Sequence, residues 1–200
     1  MFIGKKSPYF FLVRFIAIFL LLYYFFPFYR GLIGQGGVLY SAYLENHFNM
    51  IIGLTKFLTG SAKWVLETIG YSIVQKNYHS LRVEHFRGIS VNPSCLGWGV
   101  MSFWIAFTIA SDGTLPFKLK WAFAGLFILM SLNIFRIVLI VIANFRQWNI
   151  ITSLDPHQTF NIFSYACIFI LIILFTRVQK KYENIEFKNN FLDEHAITGI

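Results

Sequence analysis

The run WAFAGLFILMSLNIFRIVLIVIA, Trp121 to Ala143, decides the fold. It is long enough to cross a bilayer, which takes about 20 residues per helix. Its two strongly polar side chains are Asn133 and Arg136, one turn apart on the same helix face. An arginine at this depth costs roughly 3 kcal/mol or more unless it faces the bundle interior, water or a partner. The run therefore reads as a transmembrane helix with a polar face turned inward.

The rest of the chain agrees. Of its 200 residues 56% are hydrophobic and only 13% charged, and Phe alone occurs 24 times. A water-soluble core of this size cannot hide so much apolar surface, so lipid must solvate part of it. A net charge of +8 suggests nucleic acid at first, but the Lys and Arg flank apolar runs and form no basic stripe, which argues against that partner. Two cysteines make no disulfide framework, and no Cys-x-x-Cys or Cys/His cluster offers a metal site. The first apolar run is long and is followed by Pro27, Tyr29 and Arg30, so it does not read as a cleavable signal peptide.

The expected fold is an all-α integral membrane protein with about four transmembrane helices. The spans are predicted near Tyr9 to Phe28, Ser94 to Ala110, Trp121 to Ala143 and Phe160 to Thr176. Phe48 to Ile69 carries Lys56, Lys63 and Glu67 and reads as an amphipathic helix lying at the interface. After it, YSIVQKNYHSLRVEHFRGISV alternates loosely between β-branched and polar residues and suggests a small extracytoplasmic β-hairpin. Residues 1–180 are expected to form one membrane-embedded domain. Residues 181–200 are expected to be a loose polar tail in the cytoplasm.

Basic flanks set the expected orientation. Lys5 and Lys6, Lys118 and Lys120, and Arg177, Lys180 and Lys181 fall on one side of a four-span chain. The positive-inside rule makes that side cytoplasmic, so both termini lie inside and the loops at 30–93 and 144–158 face outward.

Three groups then point to the outer leaflet. Asn92-Pro93-Ser94-Cys95 reads as a helix opening, with Asn92 as N-cap and Pro93 first in the helix. Cys95 would sit in the first turn, where unpaired N–H groups and the dipole favour a thiolate, and Gly97 and Gly99 leave its backbone approachable. By itself Cys95 leans toward being a small buried hydrophobe. Cys167, amid Ala166, Ile168 and Phe169, reads as plain packing. Asp155-Pro156-His157-Gln158 repeats the same grammar, with Asp155 capping and Gln158 closing a capping box. His157 would lie at the outward end with Asn161 one turn on, able to bond the ring. Bland alternatives exist: His157 can bond lipid headgroups, and Arg136 can hold the bundle through backbone carbonyls. His47, His79, His85, Glu45 and Glu84 in the long loop read as solvated surface. A thiol, a histidine and a cation converging from three helices nevertheless make a plausible acyl-transfer constellation.

At these residues the chain resembles the exosortase/archaeosortase family of multispan membrane cysteine transpeptidases. The matching elements are Cys95-Leu96-Gly97, Asn133-Ile134-Phe135-Arg136 and His157, in that order, within roughly Tyr71 to Phe175. Leu96 stands where the family often has Ser, and Asn161 where it often has Gly. The resemblance implies a bacterial inner-membrane enzyme without cofactor or metal, acting on the extracytoplasmic side. It implies Cys95 as nucleophile, Arg136 as oxyanion stabiliser and His157 as general acid and base, with Asn133, Asn161 and Gly97 in support. The implied partner is the C-terminal sorting-signal helix of an exported protein, cleaved and passed to an acceptor amine, lipid or glycan. The rival reading is a non-enzymatic membrane subunit for export or assembly, with Arg136 and His157 binding an anionic lipid or polysaccharide.

Overall fold

A computed structural model describes the backbone of residues 8–37, 39–84, 88–146 and 156–198. Side chains are described at these positions except 8, 94, 156–161, 183 and 186–198. The elements in chain order are α1 (Pro8–Ile33), α2 (Ala42–His47), α3 (Met50–Thr68), β1 (Ile73–Val74), β2 (Ser80–Val83) and β3 (Ile89–Ser90). A 3-10 turn (Pro93–Leu96) then leads into α4 (Trp98–Ala110), α5 (Leu115–Phe145) and α6 (Pro156–Thr198).

Three helices are long and apolar enough to cross a membrane: Tyr9–Ile33, Leu115–Phe145 and Ile162–Tyr182. The expected second span differs. Its helix is only Trp98–Ala110, because Gly97 adopts a left-handed conformation (φ 72°) and separates the Pro93–Leu96 turn from α4. Lys118 and Lys120, expected between spans, lie inside the start of α5, which Thr114 and Pro116 open at Leu115, ahead of Trp121. The tail expected to be loose continues α6 as helix to Thr198. Its Glu, Lys and Leu content, without Gly or Pro before Gly199, favours that continuation.

The three long apolar helices and the shorter α4 alternate in direction. Phe11 meets Phe107, Phe15 meets Phe103 and Phe26 stacks on Trp98, so α1 and α4 run antiparallel. Trp104 donates to the Trp121 carbonyl while Asn133 reaches Cys95, which sets α5 antiparallel to α4. Trp121 packs on Phe175 and Phe117 reaches Tyr182, so α6 runs antiparallel to α5. Helix α1 is apolar on every side and leaves most of its rings exposed, the pattern of a lipid-facing helix.

The amphipathic reading of the Phe48 to Ile69 segment holds as a helix. Asn49 caps α3 by accepting from the Ile52 N–H at 3.0 Å. Thr55, Leu58, Thr59, Ala62 and Leu66 form its buried stripe, while Lys56, Phe57 and Trp64 face out. The helix closes in a Schellman arrangement, Tyr71 N–H to Leu66 carbonyl and Gly70 N–H to Glu67 carbonyl, around Gly70 at φ 98°. The expected hairpin is present and gains a third strand. The antiparallel order is β1-β2-β3, with Ile73 opposite Val83 and Leu81 opposite Ile89. Alternation along β2 turns Leu81 and Val83 into a core shared with α3 and α5. This small layer lies over the end of the bundle where Asn133 and Arg136 sit.

Candidate functional site

The site begins with the Pro93–Leu96 turn. Pro93 occupies its first position as expected, but the Asn92 side chain makes no capping hydrogen bond. Instead the Asn92 carbonyl accepts from the Cys95 N–H at 2.8 Å and closes the turn locally. Cys95 therefore does not lie in the first turn of α4. That helix starts three residues later, and a four-residue 3-10 turn has little dipole of its own. Cys95 is half-buried and free, and it packs on the apolar cluster of Leu58, Leu81, Val91 and Val138.

Asn133 holds the turn in place. Its amide Nδ2 donates to the Cys95 carbonyl at 3.0 Å, and only 6% of the residue is exposed. The hydrogen bond thus orients the backbone on which the thiol sits. Gly97 lets the two segments approach: a Cβ added there would stand 3.3 Å from Asn133 Nδ2, on a backbone that side chains rarely adopt. Gly99 has a similar part against α1, where a Cβ would meet the Tyr23 ring at 3.4 Å.

Arg136 follows one turn along α5 and is 8% exposed. It forms part of the wall of a cleft of about 820 Å³ between α1, α4, α5 and α6. The inward-facing polar stripe expected from the sequence is thus realised. Pro93, Leu96, Gly97 and Asn133 also line the cleft, so the motif segments around Cys95 and Arg136 meet at one place. Cys95 itself is absent from the described residues of that wall and lies behind its neighbours, against the apolar cluster.

Helix α6 begins at Pro156 as the Pro-first reading expects. Asp155 and the side chains of His157, Gln158 and Asn161 lie outside the described residues. Ser164 and Tyr165, just beyond them, line the cleft from α6. Cys167 is half-buried in mid-helix. In the long loop His47 stacks on Tyr43, and Glu45 accepts hydrogen bonds from Gln35 and Tyr40. That contact raises the Tyr40 phenol above its ordinary 10.0, chiefly because the protonated hydroxyl donates a hydrogen bond to the carboxylate. His79 packs edge-on against Tyr78, and His85 lies outside the described residues.

The sequence reading missed the contribution of α1. Arg30 lines the same cleft as Arg136, with Tyr23, Phe26 and Pro27 beside it. Pro27 lacks the N–H that the Tyr23 carbonyl would otherwise receive. One turn away the Leu22 carbonyl accepts from Trp98 Nε1 at 2.8 Å, fastening α1 to the start of α4. The available signal was a proline and an arginine at the end of an apolar run, indistinguishable in sequence from ordinary span flanks.

The fold and site together describe a mostly helical protein with three helices long and apolar enough to cross a membrane and a cleft that has polar groups at one end. Comparison with family models, characterised proteins and solved structures gives no match. Among the described residues no cluster of His, Cys, Asp or Glu forms a metal-binding group.

Proposed function

We propose that the chain is an exosortase-like membrane cysteine peptidase or transpeptidase acting on C-terminal sorting signals. The observation that carries the reading is the contact between its motif segments. The Asn133 side chain grips the Cys95 backbone at 3.0 Å, with Gly97 beneath it and Arg136 one turn away in a cleft. Conserving the turn by a buried side-chain bond is the kind of positioning that a nucleophile on a short loop requires.

In this reading the chain crosses the inner membrane of a bacterium four times. The Pro93–Leu96 turn and α4 together reach roughly 28 Å, from about 2.0 Å per 3-10 residue and 1.5 Å per α residue, close to the hydrocarbon thickness. The alternating helix directions support that count. Both termini then lie in the cytoplasm, and the Asn133 end of the cleft faces outward.

The chemistry follows from the groups. Cys95 thiolate attacks the carbonyl carbon of the scissile peptide, and the Arg136 guanidinium stabilises the oxyanion. Collapse breaks the C–N bond, and His157 gives its proton to the leaving amine. An acceptor amine, or water, then attacks the thioester, losing its proton to His157 and releasing the Cys95 thiolate, which restores the starting pair. For Cys95 to reach a carbonyl in the cleft, its side chain must turn from the apolar cluster past Leu96. Substrate docking against α4, α5 and α6 provides the occasion for that rearrangement.

The test is co-expression with a matched sorting-signal substrate. Processing should vanish in Cys95→Ala, Arg136→Gln and His157→Ala, and persist in Cys167→Ala. Mass spectrometry of the new C-terminus separates a free carboxylate from an acceptor adduct. Continued cleavage by the Cys95→Ala protein would sink the reading and leave a non-enzymatic export or assembly subunit.

A further inference from the structure

Helix α3 has two apolar faces, and the fold covers one of them. Its stripe of Thr55, Leu58, Thr59, Ala62 and Leu66 is buried where Ile137, Val138 and Val141 of α5 meet Leu81 and Val83 of β2. An interfacial helix of the kind expected from the sequence turns such a stripe toward lipid; here protein covers it. On the opposite face Met50, Phe57 and Trp64 are 57%, 54% and 69% exposed. They recur every seven residues, close to two helical turns, and so form one row about 21 Å long. Lys56 and Lys63, also seven apart, stand along one flank of it. Single exposed apolar residues are ordinary, but a row of this length on one face marks a surface with a partner.

Contacts at its two ends fix the position of the helix. The Phe48 carbonyl accepts from the Tyr29 hydroxyl, and the Met50 N–H donates to that same oxygen at 3.3 Å. Tyr29 belongs to the apolar helix Tyr9–Ile33. Past the other end, Tyr71 packs edge-on against Phe145, ring centroids 5.4 Å apart, and Phe145 ends the apolar helix Leu115–Phe145. Helix α3 is therefore held beside the ends of two helices long enough to cross a membrane. Each neighbour carries exposed apolar side chains there: Phe28, next to Tyr29, on α1, and Phe135 and Leu139 on α5.

We propose that α3 lies within one bilayer leaflet, at the Asn133 end of the bundle, with the Met50–Phe57–Trp64 row against acyl chains and Lys56 and Lys63 toward headgroup phosphates. Continuity selects lipid as the partner, because the medium that covers Phe28, Phe135 and Leu139 also meets the row. The residue types suit that medium. An indole buries its ring among acyl chains while its N–H reaches the carbonyl and headgroup layer. Lysine stems lie along apolar surface and carry their ammonium groups to the phosphates. Glu67, the one carboxylate of α3, stands 3.6 Å from Lys63, which offsets its repulsion by those phosphates. Because Cys95 packs on the cluster that contains Leu58, the leaflet supports the platform beneath the Pro93–Leu96 turn. The assignment needs no thiol chemistry and does not rest on the peptidase reading.

The experiment uses the full chain reconstituted in vesicles of phosphatidylcholine and phosphatidylglycerol. Single nitroxide labels are placed through Phe57→Cys or Trp64→Cys in a Cys95→Ala, Cys167→Ala background. Phe28→Cys serves as the lipid-facing reference and Lys76→Cys, in the β1–β2 connection, as the aqueous one. All four labelled side chains are exposed, so the labels displace no core packing. Collisions with oxygen should exceed those with a water-soluble nickel chelate at 57 and 64, as at 28, and the order should reverse at 76. Nickel-dominated collisions at both row positions would place the row in water and overturn the proposal. Dipolar broadening between labels at 57 would place a second copy on the row and overturn it equally. A second measurement keeps the parent chain intact. The difference in emission between the parent and Trp64→Phe isolates Trp64, and it should be quenched by acyl-brominated phosphatidylcholine and resist aqueous iodide. Quenching by iodide and not by the brominated lipid would overturn the proposal. None of these readings depends on processing of a substrate, so failure of the peptidase reading and failure of this one are separable.

Discussion

Around Trp104, helices α4, α5 and α6 meet through large apolar side chains; around Asn133, the same helices meet across a cleft with polar groups on its wall. At the first end Trp104 is fully buried among Phe117, Leu129, Ile168, Leu171 and Phe175. Its indole N–H is satisfied by the Trp121 carbonyl at 3.1 Å. The ends of the same helices are tied there by Gln179 donating to the Asp112 carbonyl at 2.9 Å. At the second end α5 packs instead on α3 and the small sheet, and α6 stands off far enough to leave about 820 Å³ of space. The packed end fixes helix register. The open end uses that register to place Asn133 and Arg136.

The comparison breaks most severely at Gly125. A Cβ there would stand 1.9 Å from Trp104 Nε1 and 2.2 Å from its Cε2, atoms of a fully buried ring. Gly125→Ala should destabilise the bundle by about 3 kcal/mol, the upper part of the usual overpacking range. Thermal unfolding in detergent measures it, and a loss under about 1 kcal/mol would mean that the aromatic end does not set the register.

A smaller effect is expected at the other end. Asn133→Ala removes the donor to the Cys95 carbonyl, at a cost of about 1–3 kcal/mol for a buried group left unsatisfied. The helices should keep their packing around Trp104 while the Pro93–Leu96 turn loosens. Hydrogen exchange should therefore rise in that turn and stay constant in α4 beyond Trp104. Uniform exchange across α4 would show that the two ends are not independent.

The smallest effect lies outside both ends, at Tyr40. Its phenol is raised because its O–H donates a hydrogen bond to the Glu45 carboxylate, so the folded form favours the protonated state. The contact is fully present below the ordinary phenol value of 10.0 and is lost as pH rises through the raised one. Ultraviolet titration should reveal one late-ionising tyrosine that Tyr40→Phe removes. At neutral pH the unfolding midpoint of that variant should match the parent, because the pair is solvent-exposed. A shifted midpoint would mean that this loop contributes to the bundle.

Much of this architecture was legible from residues alone. Long apolar runs mark α1, α5 and α6 because nothing but lipid or a large interior can solvate them. Pro93 and Pro156 mark helix openings because proline lacks the N–H that a helix start leaves unused anyway. The amphipathic stripe of α3 followed from its spacing. The length of α4 did not. Gly97 permits a left-handed residue without requiring one, and only the approach of Asn133 explains why the helix breaks there. The third strand, Ile89–Ser90, was equally hidden, since two residues carry no period.

By itself, then, the sequence determined a membrane-solvated helical chain with a polar face inside its longest apolar run. Hydropathy is a property of neighbouring residues and survives without tertiary contacts. Only the tertiary structure decided that Arg30 joins Arg136 in one cleft, that Asn133 grips the Cys95 backbone, and that Cys95 packs on the apolar cluster. Those facts depend on which helices become neighbours and in what direction. That choice is made by packing between residues far apart in sequence, such as Trp104 with Gly125 and Phe175.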